Sequence, residues 1–169
     1  MNCLAGLGLV AVLGMPAFSC TCVWTEMPPA DYGASVVFRG PVTDRQSLAT
    51  LPAMRGRRRY AITFRVDEYW RGSPHRSMIL YGLDDGTDCM GGSSFEVGKN
   101  YLVFASQKPS EDVFLPNSKQ LWFSWADVLP SGTRALMLTE CAPSGETSKL
   151  FAKAAIDRLG KGHPPDEAK

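Results

Sequence analysis

Two cysteines separated by one threonine, Cys20 and Cys22, constrain this chain most, because they directly follow an apolar leader. Residues 1–19 are almost wholly small or apolar. They are too few to span a bilayer but have the length of a secretory signal peptide. Ala17 and Ser19 are the small residues that a signal peptidase accepts three and one positions before its cut. The sequence therefore predicts a signal peptide over 1–19, an exported protein (secreted or periplasmic), and Cys20 as the first mature residue.

The leader leaves two alternatives open. No Lys or Arg precedes the apolar run, so the segment could be a buried strand or helix, although its glycine-rich pattern shows neither amphipathic period. Cys20 could also be a lipoprotein anchor. Such anchors usually have Leu three positions earlier, where this chain has Ala17, and lipidation would leave an odd number of cysteines. Export without a lipid anchor is the favoured interpretation.

The number of cysteines supports this cleavage site. The chain has five, and removal of the leader takes Cys3 away and leaves Cys20, Cys22, Cys89 and Cys141. An even set in an exported chain is typical of two disulfide bonds. Because Cys20 and Cys22 are too close in sequence to bond without strain, we expect each to bond with Cys89 or Cys141.

Length and charge limit the class of protein. About 150 residues remain after cleavage, enough for one domain with a hydrophobic core. Lys and Arg number 18 against 17 Asp and Glu, so no charge excess favours nucleic acid or an anionic membrane. No second apolar run is long enough to cross a bilayer, and no internal repeat occurs. We expect a soluble single-domain protein with no nucleic-acid partner and no membrane association after signal cleavage.

Alternation of apolar and polar residues predicts a mostly β structure. The predicted strands cover 34–44, 58–72, 76–82, 99–106 and 134–142. Pro41 indicates an edge or a bulge in the first of them. The expected barrel core consists of one face of these strands: Val37, Tyr60, Ile62, Phe64, Val66, Leu80, Leu102 and Phe104.

The period changes near the C-terminus and predicts a helix within 148–162. Its expected apolar face is Leu150, Phe151, Ala154, Ala155 and Leu159, and Gly160 is expected to end it. The predicted fold is a small closed OB-type barrel of about five strands with this C-terminal α-helix; a β-sandwich is the alternative. The expected organisation is a barrel over 20–142, a packed helical segment over 143–162 and a frayed tail over 163–169.

Motifs for enzymatic chemistry are missing from the sequence. The two histidines, His75 and His163, fall in a turn and in the tail. There is no HExxH, CxxC, P-loop or Gly-x-Ser-x-Gly pattern. Asp84, Asp85 and Asp88 do not have EF-hand spacing, so a solvated turn is favoured over a calcium site. We therefore expect no enzymatic activity and no cofactor.

A dense basic run, RGRRR at 55–59, is interpreted first as a solvated hairpin loop and second as a site for an acidic partner or glycan. Its cationic residues are Arg55, Arg57, Arg58 and Arg59. Trp122 and Trp125 could stack on sugars, although packing in the core is the commoner use of such residues.

Several segments together resemble the tissue inhibitors of metalloproteinases, over roughly residues 20–142. They are CTCV at 20–23, SVVFRGPV at 35–42, YAITFRVDEYWRG at 60–72, Cys89, YLVFAS at 101–106 and Cys141. The resemblance implies a netrin-like OB-type barrel with disulfides Cys20–Cys89 and Cys22–Cys141. The family's animal members have a further cysteine near the first two and six more in a second domain. This chain lacks them, and so resembles a reduced single-domain relative of bacterial type.

The resemblance also implies an inhibitory site at Cys20, Thr21, Cys22 and Val23. The α-amino nitrogen and carbonyl oxygen of Cys20 would chelate the catalytic zinc of a target metalloprotease, at the position that the attacking water occupies. Thr21 would point into the primed-side pocket. The alternative is an exported binding or scaffold module in which the disulfides only stabilise the barrel.

We predict the pairing Cys20–Cys89 and Cys22–Cys141 in the exported protein. Each bond closes a long loop, which the chain-entropy model equates with roughly 4–5 kcal/mol of stability before strain. Peptide mapping without reduction should recover these two linked pairs. A peptide joining Cys22 to Cys89, or free thiols after export, would contradict the pairing.

Overall fold

The structure, a computed structural model, describes residues 33–48, 58–84, 95–109, 113–114, 121–123, 128–132, 134–139, 142 and 144–165. The described residues are mostly β, with antiparallel pairing throughout and one short helix. In chain order the elements are β1 (Val36–Leu48), β2 (Arg58–Arg65), β3 (Glu68–Arg71), β4 (Ser77–Asp84), β5 (Asn100–Pro109), β6 (Val113–Phe114), β7 (Leu121–Phe123), β8 (Arg134–Leu138), β9 (Gly145–Glu146) and α1 (Leu150–Leu159).

The five predicted strands are all present, but the one expected over 58–72 is divided into β2 and β3. Two residues leave the ladder between them. The backbone N–H of Val66 donates to the Arg76 carbonyl at 2.8 Å, and that of Asp67 donates to the Arg39 carbonyl at 2.9 Å. Both β2 and β3 pair with β1, so the chain has the same neighbouring strand before and after this break.

Strand β1 is the centre of the main sheet. The strands run in the order β4-β2-β1-β5-β8, while β3 adds to β1 and β9 adds to β5. The order β5-β1-β2-β4 is that of a Greek key, in which the fourth strand returns beside the first. Strands β6 and β7 form a separate two-stranded sheet.

The two end strands of this order, β4 and β8, lie beside each other, with Cα atoms of the two strands within 8 Å. Within the described residues no hydrogen-bonded ladder joins them. The sheet is therefore strongly curved and brings its two edges together.

A close backbone approach sets the path of β1. A Cβ atom added at Gly40 would overlap the carbonyl oxygen of Arg65, so only glycine fits at this crossing. Just beyond it, the register of β1 against β2 shifts between Val42 and Asp44. This β-bulge agrees with the irregularity predicted at Pro41, whereas the alternative of an edge strand is wrong, because β1 is paired on both sides.

The inner face of the curved sheet encloses an aromatic cluster around Phe64. Its ring lies 5.4 Å from those of Phe38 and Phe95 and 6.5 Å from that of Tyr101, between ring centroids, all edge to face. Such geometry adds roughly 0.5–1.5 kcal/mol per pair beyond the burial of apolar area. Tyr60, Ile62, Phe64, Val66 and Leu80 belong to this inner cluster, as the sequence predicted.

The other three predicted core residues are buried, but on the opposite face of the sheet. Val37, Leu102 and Phe104 pack with Ala34, Ala152 and Ala155 in an outer cluster beneath α1. The inner positions of the same strands are taken by Phe38, Val103 and Ala105. The assignment of Val37, Leu102 and Phe104 to the barrel interior was wrong. Because β1 and β5 are covered on both faces, alternation alone does not identify the inner face.

The helix is present at the predicted place, but the face that it buries differs from the predicted face. Its buried side chains are Ala152 and Ala155, supported by Ile156 and Leu159. Leu150 is 84% exposed and Phe151 41% exposed, and Ala154 is exposed as well. The predicted apolar face was therefore wrong at these three residues. Gly160, at a φ of 70°, ends α1 as expected.

The segment after α1 is held against β3. The indole N–H of Trp70 donates to the Gly160 carbonyl at 2.8 Å, and Gly162 donates its N–H to Glu68 at 2.7 Å. Tyr69 and His163 exchange two backbone hydrogen bonds. His163, which the sequence assigned to a frayed tail, is therefore fixed; residues 166–169 lie outside the described part.

Replacing Phe64 by Ala should cost about 3–5 kcal/mol, because it empties the centre of the inner cluster. Phe151→Ala is the matched control, and it should cost roughly 1 kcal/mol or less since that ring is partly exposed. Urea unfolding of both variants measures the difference. Equal losses would show that Phe64 is not central to the core.

Candidate functional site

The predicted inhibitory site lies outside the described residues. This applies to Cys20, Thr21, Cys22 and Val23, and to the two remaining cysteines of the expected disulfides, Cys89 and Cys141. Trp125 is outside as well, and Trp122 lies in β7.

The structure does describe residues that flank these segments. Ala34 and Ala142 both belong to the outer cluster, Ala34 as a buried member and Ala142 packed against it. The guanidinium of Arg71 donates to the Ala34 carbonyl at 2.8 Å, and the Ala142 N–H donates to Thr139 at 3.3 Å. Ala34 and Ala142 thus lie on the same side of the sheet, the side that α1 covers.

The basic run does not form one solvated patch. Arg58 and Arg59 both lie in β2, and their side chains alternate. Arg58 is exposed, whereas Arg59 is 0% exposed and has an interaction partner. The interpretation as a solvated loop is therefore wrong for Arg59, because this residue lies in β2 and its side chain is buried. Arg55 and Arg57 lie outside the described residues.

Arg45 is a cationic residue that the sequence analysis did not identify. Its side chain lies on the inner face of the curved sheet. Its guanidinium carbon lies 4.0 Å from the centroid of the Tyr60 ring, a distance typical of cation–π stacking. Its Nε is buried and has no hydrogen-bond partner in the described part of the protein. A buried donor without a partner is uncommon and calls for an explanation.

The bulge explains why Arg45 points inward. Before it, Phe38 and Val42 are inner residues; after it, Arg45 stands opposite Ile62 and Ser47 opposite Tyr60. Both of those β2 residues belong to the inner cluster, and residues directly opposite share a face. A strict alternation read along the sequence would have assigned Arg45 to the outside, so only the bulge itself could have revealed it.

This end of the inner face is open to solvent. Ser47 and Arg58 are exposed although they continue the inner rows of β1 and β2, and Tyr60 is the last buried residue of its row. We call Arg45, Ser47, Arg58 and Tyr60 the Arg45 mouth. Its two guanidinium groups and the hydroxyl groups of Ser47 and Tyr60 can donate hydrogen bonds to an anion.

A second polar group joins β9 to the turn before β5. Lys99 contacts Glu96 at 3.0 Å and Glu146 at 3.5 Å. The hydrogen bond to Glu96, followed by the charge of Glu146, raises the pKa of Lys99. The hydrogen bond from Ser148, at 2.6 Å, and the charge of Lys99 lower the pKa of Glu146. These exposed ion pairs support β9 and form no enclosed site.

Other chemistry finds little support among the described residues. They contain no group of three or more His, Cys, Asp or Glu side chains arranged to hold a metal ion. Of the three candidate calcium ligands only Asp84, the last residue of β4, is described. Burial raises the pKa of Tyr81 on β4. The one helix of the described part, α1, has ten residues and is not long and apolar enough to span a membrane.

The different environments of Arg58 and Arg59 can be tested by replacing each residue with Ala. Arg59→Ala should destabilise the protein by about 1–3 kcal/mol, because it leaves the partner of a buried charge unsatisfied. Arg58→Ala should stay within about 0.5 kcal/mol, since that side chain is exposed. Urea unfolding measures the loss of stability in each variant. Equally small losses would show that Arg59 is solvated, as Arg58 is.

Comparison of the chain with protein-family models, with curated proteins and with solved structures found no match. The resemblance to metalloproteinase inhibitors therefore stays a prediction from the residues of this chain.

Proposed function

We propose that this chain is an exported, non-enzymatic netrin-like protein that inhibits zinc metalloproteases through its mature N-terminal Cys20. The observation that carries the proposal is the strand order β4-β2-β1-β5-β8, with β4 and β8 side by side. A five-stranded Greek-key sheet whose edges meet is the arrangement of an OB-type barrel. In the proposal β4 and β8 close that barrel, as the resemblance implies, and α1 covers its outer face.

The anchoring of the flanking residues supports the disulfide framework. Ala34, which follows Cys22 in the chain, and Ala142, the residue after Cys141, belong to the same outer cluster. This placement is compatible with the proposed bond from Cys22 to Cys141. The second bond, from Cys20 to Cys89, would fix the N-terminal cysteine itself.

A disulfide-fixed N-terminus suits zinc chelation for two reasons. The α-amino nitrogen and the carbonyl oxygen of Cys20 form a five-membered ring with the metal and fill its open position. Two disulfides, at Cys20 and Cys22, hold these atoms in one conformation and reduce the entropy lost on binding. Thr21 and Val23 then contact the protease on either side of Cys22.

The second candidate function is an exported binding or scaffold module. It is favoured by one observation, the exposed Arg58 beside an Arg45 that has no anionic partner among the described residues. In both proposals the protein is secreted or periplasmic, and a lipid anchor at Cys20 is disfavoured.

Inhibition assays against a panel of zinc proteases test the main proposal. The probe is the exported protein whose first residue is verified as Cys20 by mass spectrometry. It should inhibit at least one zinc protease and no serine protease. One additional Ala before Cys20 should raise the inhibition constant by more than about 100-fold, roughly 2.7 kcal/mol, because it removes the amine ligand.

Thr21→Gly is the comparison variant and should weaken inhibition less, since it spares the chelate. Both altered proteins should keep the melting temperature of the native one. Equal inhibition by the Ala-extended protein would disprove chelation by Cys20. No inhibition of any zinc protease by the correctly processed protein would favour the binding module.

A further inference from the structure

The arginines of the sheet differ in how they are satisfied. Arg39 is paired with Glu68 and Arg65 with Asp67; Arg71 and Arg134 donate to backbone carbonyls, and Arg59 has a partner. Arg45 and Arg58 are the two on the described strands for which no hydrogen bond or ion pair is found.

These two unsatisfied residues lie on the same face and at the same end of the sheet. The guanidinium of Arg45 stacks on Tyr60, and Arg58 is the next residue of β2 on that face, two positions away. Alternate residues of a strand are separated by about 7 Å. In the ladder Arg45 stands opposite Ile62, two such steps from Arg58, and its guanidinium lies over Tyr60, the inner-face residue between them. The Arg45 mouth therefore presents two separate positive charges beside the exposed hydroxyl of Ser47.

The geometry points to a binding site for an acidic peptide segment at the Arg45 mouth, with one carboxylate received by Arg45 and a second by Arg58. An extended acidic segment presents the side chains of one face at intervals of about 7 Å, so that neighbouring carboxylates of that face can each meet a different cation of the sheet. Two separated cations match two such carboxylates better than the compact charge of one phosphate group. This site uses neither Cys20 nor the N-terminal segment and is independent of protease inhibition.

The unpaired Nε of Arg45 supplies the driving force. A guanidinium binds a carboxylate through two parallel hydrogen bonds, and the fork formed by Nε and one Nη fits the two oxygens. In the free protein Nε lies buried without a partner, which costs free energy. A small rotation of the guanidinium off the Tyr60 ring exposes this donor, and a bound carboxylate satisfies it.

Amide NMR titration of the full mature protein tests this site with the peptide acetyl-Ser-Glu-Ser-Glu-Ser-amide. Saturable shifts are expected at residues 45–47 and 58–60. Arg45→Gln and Arg58→Gln should each raise the dissociation constant by about tenfold or more, because each removes a charge-assisted hydrogen bond. Arg158→Gln is the matched control: it removes the same charge from an exposed position on α1 and should leave the affinity unchanged.

The melting temperature of each variant shows that the fold is retained, and the exposed Arg58 keeps the test valid should Arg45→Gln destabilise the sheet. The same peptide with Gln in place of Glu should not bind. Equal weakening by Arg158→Gln, equal binding of the Gln peptide, or no shifts at the mouth would overturn the proposal. Inorganic phosphate that binds there as tightly as the Glu peptide would overturn the assignment to carboxylates.

Discussion

The close approach of Gly40 to the backbone of Arg65 is the constraint on which the rest of the structure depends. It lets β1 pass from one set of neighbours to another: its first half pairs with β3 and β5, and its second half pairs with β2. Because one strand serves both halves, the sheet must curve around it, and this curvature brings β4 beside β8. The enclosed space is filled by Phe64 and its aromatic neighbours. Any side chain at residue 40 would separate these two halves.

The same irregularity determines where polar chemistry can occur. The bulge after Val42 reverses the faces of β1, so that a charged residue, Arg45, continues the row that Phe38 begins. Before the bulge, at Phe38 and Val42, the row is apolar and buried. After the bulge, the row contains the cationic Arg45 and the exposed Ser47. The proposed peptide site and the packed core are thus consecutive parts of one sheet face, and Tyr60 forms the boundary between them.

The sequence predicted the strands and the end of the helix at Gly160 well, because alternation and a glycine after a helical period are local signals. It failed where burial depends on elements distant in sequence. Val37 was assigned to the interior because nothing local reveals that α1 covers the other face. Leu150 was assigned to the buried face of the helix on hydrophobicity alone, and Arg59 to solvent on charge alone. The proposed inhibitory residues follow only from the resemblance, whereas Arg45 could be identified only from the register of two paired strands.

The outer cluster joins the first described strand to the last helix, and this has a consequence for biosynthesis. The outer faces of Val37 and Phe104 stay uncovered until Ala152 and Ala155 have been synthesised. Contacts between such distant parts of a chain form late and slow folding. The nascent polypeptide therefore lacks one of its two apolar layers until α1 has left the ribosome. In the proposed exported protein, this delay would keep the incomplete chain unfolded enough to pass through a narrow translocation channel.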